Sequence, residues 1–346
     1  MPRIPICFAA LAVACSGDVS STADAPVAVD AVVLVDAPPV VTDAPALARP
    51  AACPTTGKGA VVVTGGSCVV FTPAMTGAAP QGVNAGVPSY ALAPSTGAAG
   101  NLVVFMNGSG GSPAGVAVDP AKNVYTAAVA AGDHVIGLSY RSNDVIGELC
   151  AGDDGCFLPT RTTIVTGIYQ TGAASFVSDV MPSEGIHERL ARALAYLAAV
   201  DPGGGWGAFL DGAAVRWDKI IAGGHSQGGG HAALLGKLHP LARIVGLSSP
   251  CDSVARAAAT WLHADATWQT SPAERGYGFS AATTFDSQGA PTGGDTLCPA
   301  HAAVWTAMGI DTTRRFDDAV VCGTSAHGAS IGCPENFARL VSLFQL

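Results

Sequence analysis

The stretch Ile220-Ile221-Ala222-Gly223-Gly224-His225-Ser226-Gln227-Gly228-Gly229-Gly230-His231 decides how the rest of the chain is read. A short apolar run, rich in isoleucine, enters it, and an Ala/Leu-rich run over residues 231–238 leaves it. The first reads as a buried strand and the second as a helix. Between them, Gly224, Ser226 and Gly228 fit G-x-S-x-G, the pattern of a nucleophile elbow. Glycines two before and two after the serine let the chain turn tightly from strand to helix. Ser226 is then held in a strained conformation, with its hydroxyl exposed at the carboxyl end of the strand. The first N–H groups of the helix point at the same place, where they favour a developing negative charge. In a chain with 43 glycines the five-residue pattern alone is weak. The strand directly before it and the helix directly after it are the context that gives it meaning.

Outward from the elbow, β-branched runs alternate with Ala-rich stretches from about Cys53 onward, the texture of a parallel α/β sheet. Residues 61–64 and 68–72 predict an opening antiparallel hairpin broken at Gly65-Gly66. Further strands are expected at 102–106, 134–140, 220–222, 244–247, 277–279 and 319–322. Helices are expected at 121–131, 184–200, 227–238 and 336–344. In the second of these, Ile186, Leu190, Leu194 and Leu197 form one stripe and Ser183 is placed as N-cap. Residues 141–180 carry two cysteines and several acids without clear periodicity, and read as an insertion or cap over one end of the sheet.

The elbow, with its Gly-His-Ser-Gln-Gly-Gly run, resembles the α/β-hydrolase superfamily, in whose esterases and lipases that run is frequent. The likeness of element order covers about residues 60–346. It implies the α/β-hydrolase fold, a mostly parallel central sheet flanked by helices, here with a disulfide-containing insertion. It also implies a Ser, acid, His triad in that chain order. Ser226 is then the nucleophile. His327, in Ser325-Ala326-His327-Gly328 after the expected last strand, is the general base. The acid is expected soon after residues 277–279, at Asp286. Asp252, in Ser249-Pro250-Cys251-Asp252, is the rival, with a helix cap as its plainer reading; Asp295 is a third option. One oxyanion donor is the backbone N–H of Gln227. A second comes from Asn107-Gly108-Ser109-Gly110-Gly111, where Asn107 replaces the family's usual histidine: Ser109 N–H is expected, with Gly110 as alternative. The implied reaction is cleavage of a small or polymeric carboxylic ester through an acyl-enzyme, with no cofactor and no metal. A peptidase or acyltransferase on the same residues, and a catalytically inactive surface binding module, are the alternatives.

The same glycine loop does not serve a dinucleotide: its third glycine is misplaced, no acid follows at the expected distance, and there is no P-loop lysine. A net charge of −9 argues against a nucleic-acid partner. No run of about 18 apolar residues is present to span a bilayer. At the N-terminus, Arg3 precedes an apolar stretch, and Ala12-Val13-Ala14 precede Cys15. Residues 1–15 read as an export signal. It resembles a bacterial lipoprotein signal with Cys15 lipidated, although Leu11 stands one place early and Ala12 occupies the usual leucine position. Residues 16–52, with recurring Asp-Ala-Pro, read as a disordered tether, and residues 53–346 as the folded domain. The expected location is the cell envelope or the exterior, with any membrane contact made through the lipid alone, and the expected state is a monomer.

Ten cysteines are present; setting aside Cys7 and Cys15, eight remain. In an exported chain they suggest disulfides, and eight cysteines allow 105 pairings. Local pairs are preferred: Cys53–Cys68, Cys150–Cys156 and Cys322–Cys333, leaving Cys251–Cys298. A zinc site is disfavoured because no C-x-x-C is present. Calcium at Asp153-Asp154 is weighed against a solvated acidic loop, which is the plainer reading.

Overall fold

The computed structural model describes residues 67–77, 82–94, 100–117, 124–150, 152–322 and 325–345. The export signal with Cys15, the tether, Cys53 and the expected strand at 61–64 lie outside them.

Eight strands form one sheet: β1 (Ser67–Phe71), β2 (Ser89–Ala93), β3 (Leu102–Met106), β4 (His134–Gly137), β5 (Ile220–His225), β6 (Arg243–Leu247), β7 (Gly276–Phe279) and β8 (Arg315–Phe316). Their spatial order is β1-β2-β4-β3-β5-β6-β7-β8. Among the described strands, β2 is antiparallel to both its neighbours, β1 and β4; from β4 through β8 every pairing is parallel. The helices named below are α1 (Val124–Ala130), α2 (Ile146–Leu149), α3 (Asp154–Thr166), α4 (Ile186–Val200), α5 (Gln227–Leu238), α6 (His301–Ala307), α7 (Ala326–Ala329) and α8 (Phe337–Phe344). This is the α/β-hydrolase architecture.

Strands buried on both faces need apolar residues at every position, which is why β3 reads as the unbroken run Leu-Val-Val-Phe-Met. Leu102, Val104 and Met106 point to one core with α3, α4 and α5. Val103 and Phe105 point to the other, with α1 and α8. The 4-residue beat of α4 places Ile186, Leu190, Leu194 and Leu197 in the first core, as its stripe predicts. The helix begins after a 3-10 turn, Pro182–Glu184, so its N-cap is Gly185 and not Ser183.

The insertion contains α2 and α3, fastened by the expected Cys150–Cys156 disulfide. No periodicity announces α3, because it is buried on more than one side and carries Pro159 in its interior. Its acids are structural. Asp153 caps the helix by accepting from the Gly155 N–H at 3.0 Å. Asp154 accepts from the N–H and hydroxyl of Thr260. Cys251–Cys298 and Cys322–Cys333 are also joined, and Cys68 is disulfide-bonded. Among the described residues no helix is long and apolar enough to cross a membrane.

The expected strand at 319–322 does not form. The last strand falls earlier, at β8, and Val320 and Val321 are exposed. The Asn336 side chain takes the place of a strand neighbour. It accepts from the Val320 N–H and donates to the Val320 carbonyl, each at 2.9 Å, and donates to the Ala329 carbonyl at 2.9 Å. Asn336 is itself buried. Asn336→Leu keeps the volume but strands these backbone groups. It is expected to lower stability by about 1–3 kcal/mol, read as a lower urea midpoint with an unchanged slope.

Candidate functional site

β5 feeds α5 through Ser226, whose φ of 55° and ψ of −122° lie in a region that L-residues rarely adopt. The strained turn is forced by packing. A Cβ on Gly228 would stand 2.0 Å from the Met106 carbonyl oxygen, and one on Gly224 would stand 2.2 Å from the Gly228 backbone. Only glycines let the start of α5 press against the ends of β3 and β5. The Ser226 N–H continues the ladder to Leu247 at 3.1 Å, and the residue is half-buried, between half-buried His225 and buried Gln227.

The loop after β3 passes directly beside it: a Cβ on Gly108 would lie 3.0 Å from the Ser226 Cβ. Asn107 holds that loop by donating from Nδ2 to the carbonyls of Gly108 (3.0 Å) and Gly111 (2.6 Å). The Ser109 hydroxyl donates to Gln227 Oε1 at 2.8 Å, and the Ile146 N–H at the start of α2 donates to the same oxygen at 3.0 Å. Ser109 and Gln227, the two residues expected to supply oxyanion donors, are therefore in contact. The alternative, Gly110, has its N–H committed to the Ser142 carbonyl at 2.7 Å.

His327 stands on α7, where the sequence suggested only a loop. Ser325 caps this short helix, accepting from the Gly328 N–H. The imidazole Nδ1 meets Asp295 Oδ1 at 2.8 Å, and since a carboxylate can only accept, Nδ1 is the protonated nitrogen. In a neutral imidazole with that tautomer, Nε2 is the acceptor. The ring packs on that of His225, with centroids 4.6 Å apart, and His225 Nε2 meets the His327 carbonyl at 2.9 Å. His327 is thus placed against the residue that immediately precedes Ser226. The Cys322–Cys333 disulfide brackets it in the chain.

Asp295 is the carboxylate of this site, and neither Asp286 nor Asp252 takes that place. Asp295 is fully buried, yet it also accepts from the Cys298 N–H at 3.0 Å and the Ser280 hydroxyl at 2.9 Å. Burial alone would raise its pKa. The bonds and charge of His327, with those from Cys298 and Ser280, outweigh burial and hold it below the usual aspartate range. A hydroxyl relay continues from Ser280 to Ser248 (3.2 Å) and Ser330 (2.8 Å).

Asp286 follows β7 as expected, but the chain then makes an excursion, pairing Thr284–Phe285 with Pro291–Gly293. Asp286 is exposed at the tip of that ribbon, accepting from the N–H groups of Gln288 and Ala290. The chain returns before delivering Asp295, and the Thr283 hydroxyl donates to the Asp295 carbonyl at 2.8 Å. Asp252 is buried but faces elsewhere, paired with Arg161 of α3. Nor is Asp252 a surface helix cap. Two other histidines can be set aside. His301 has both ring nitrogens engaged, by the Cys298 carbonyl and by Asp317. His231, fully buried in α5, is pushed far below its ordinary pKa, first by burial and then by Arg161.

No family model matches the chain, and no curated protein matches its sequence. Among solved structures it is similar to an S-formylglutathione hydrolase from Agrobacterium tumefaciens, at 18% identity over 53% of this chain and 58% of that one, with a TM-score of 0.31. It is similar to an acetyl xylan esterase from Aspergillus awamori, at 16% identity over 54% of each chain, with a TM-score of 0.30. It is also similar to a hyperthermophilic esterase from the archaeon Pyrobaculum calidifontis, at 18% identity over 50% of this chain and 39% of that one, with a TM-score of 0.25. The matched part spans between 39% and 58% of the length of these three proteins.

Asp295 also makes a prediction about acid stability. Its folded pKa lies below the unfolded value of about 3.9, so its stabilisation is complete above that pH. It is lost as pH falls through the lower folded value. Asp295→Asn is expected to weaken the loss of stability as pH falls below about 4. Urea midpoints measured across that window check this, and an acid-side slope equal to wild type refutes it.

Proposed function

We propose that the protein is a serine hydrolase that cleaves carboxylic esters through an acyl-enzyme on Ser226. The observation that carries this reading is the buried Asp295–His327 bond, with the imidazole packed on His225 beside a serine in elbow conformation. In this reading His327 Nε2 takes the Ser226 proton as Oγ attacks the ester carbonyl. Asp295 keeps the proton on Nδ1 and stabilises the imidazolium that forms. The N–H groups of Gln227 and Ser109 receive the developing oxyanion. Such donors act from fixed positions, and losing one costs roughly 100- to 1,000-fold in rate. His327 then protonates the leaving alcohol, water enters in its place, and the same residues release the acid.

Exposed apolar side chains lie on both segments that reach the site: Val145 and Leu149 at α2, next to the Ile146–Gln227 bond, and Leu297 on the acid loop. They favour esters with an apolar acyl or alcohol part. The disulfides fit an oxidising compartment and agree with the export expected from residues 1–15. We extend the proposal to a monomeric protein held at the cell envelope through Cys15 or released outside.

A fluorophosphonate probe is expected to label the oxidised wild type and not Ser226→Ala. On p-nitrophenyl butyrate, Asp295→Asn should lower kcat by about 1,000- to 10,000-fold. Asp286→Asn, a surface change, should stay within about twofold of wild type. Equal effects of the two aspartate variants, or labelling that survives Ser226→Ala, would overturn the reading.

A further inference from the structure

We infer that Arg161 and Asp252 are positioning residues for this chemistry, a brace that fixes the elbow and the acid loop together; the inference rests on the reading of Ser226 as nucleophile. Both side chains are almost fully buried. Arg161 Nε donates to Asp252 Oδ2 at 2.5 Å and Nη2 donates to Oδ1, a two-pronged pair. The Trp261 indole N–H donates to the same Oδ2 at 3.0 Å. The guanidinium has one arm left, and Nη1 gives it to the backbone carbonyl of Gln227 at 2.9 Å.

That third bond is what a merely stabilising pair would not need. Buried ion pairs recover little beyond the cost of removing both charges from water, and apolar pairs of like volume often replace them without loss. Here the pair ends on the residue assigned to the oxyanion. The Gln227 side-chain oxygen is already held by Ser109 and Ile146. With its carbonyl held by Arg161, the residue is fixed at both its side-chain oxygen and its backbone oxygen, which sets the direction of its backbone N–H, while the Nε2 amide is buried without a hydrogen-bond partner. Orientation of this kind matters because an error of about 1 Å in a catalytic group costs on the order of 100-fold in rate.

The brace also reaches the acid. Cys251, next to Asp252, is bonded to Cys298, whose N–H donates to Asp295. The two-residue stretch Cys251-Asp252 is therefore tied to the oxyanion side through Arg161 and to the acid side through the disulfide. Arg161 belongs to α3, so the inserted segment is a fixed support of the elbow and not only a cover for it.

The test compares wild type, Arg161→Lys and the double variant Arg161→Met with Asp252→Leu. Lysine keeps the charge opposite Asp252 but loses the planar fork that serves Asp252 and Gln227 at once. The double variant removes the pair without leaving a lone buried charge. Each is assayed for thermal midpoint, for kcat and KM on p-nitrophenyl butyrate, and for inhibition by a boronic acid that forms a tetrahedral adduct. In whichever variants fold, kcat should fall about 10- to 100-fold and boronate affinity should fall in parallel. KM should stay within about twofold. A folded variant of either kind with wild-type kcat and boronate affinity overturns the brace while leaving the hydrolase reading intact. A properly oxidised wild type that the fluorophosphonate probe does not label overturns that reading itself, and the brace with it.

Discussion

The contact between the Gly228 backbone and the Met106 carbonyl is the constraint on which the site depends. It brings the start of α5 against the end of β3, and the geometry of the turn follows from that approach. Ser226 adopts its strained conformation because the chain must leave β5 and enter a helix already pressed on the neighbouring strand. The loop at Asn107–Gly111 leaves β3 at the same level, which is why Gly108 passes beside the serine. Strain at Ser226 is sustained by the two-sided burial of the sheet, in which β3 and β5 contribute side chains to both cores.

The second requirement is a carboxylate that stays charged without water. Asp295 meets it with donors from three different parts of the chain: His327, Ser280 and the Cys298 amide. Each bond favours the ionised form, and together they overcome the burial that opposes it. Asp252, also buried, has different partners: the Arg161 guanidinium is placed against it. The two buried aspartates differ in what surrounds them: one is aimed at an imidazole, whereas the other is fully occupied by an arginine and an indole.

How legible each part was in the sequence follows from whether local or distant residues decide it. The run at 102–106 and the helix at 227–238 are observed with the bounds their patterns predict, because two-sided burial and the elbow glycines leave a local imprint. The tight turn at Ser226 was legible for the same reason. His327 was placed by chain order, after a strand at 319–322 that does not form. The carboxylate that pairs with it was not legible. Asp286 and Asp295 both follow β7, and only the fold determines which one meets Ser280 and His327. Helix α3 hid behind Pro159 and burial on more than one side, which blurs the apolar stripe. The pair Val320-Val321 has the composition of a strand, yet Asn336, sixteen residues from Val320, satisfies the backbone there.

The ribbon between β7 and Asp295 has a closed base, since Thr283 is hydrogen-bonded to Asp295 across it. What lies beyond that staple is a side branch whose length does not enter the spacing of the carboxylate. For a flexible loop each doubling of length adds only about 0.6 kcal/mol of closure cost. The segment can therefore grow, shrink or accept foreign residues at its tip while the carboxylate stays where it is. Counting residues from β7 is consequently a poor guide to the acid in any chain built this way; the pairing at the neck of the branch is the better landmark.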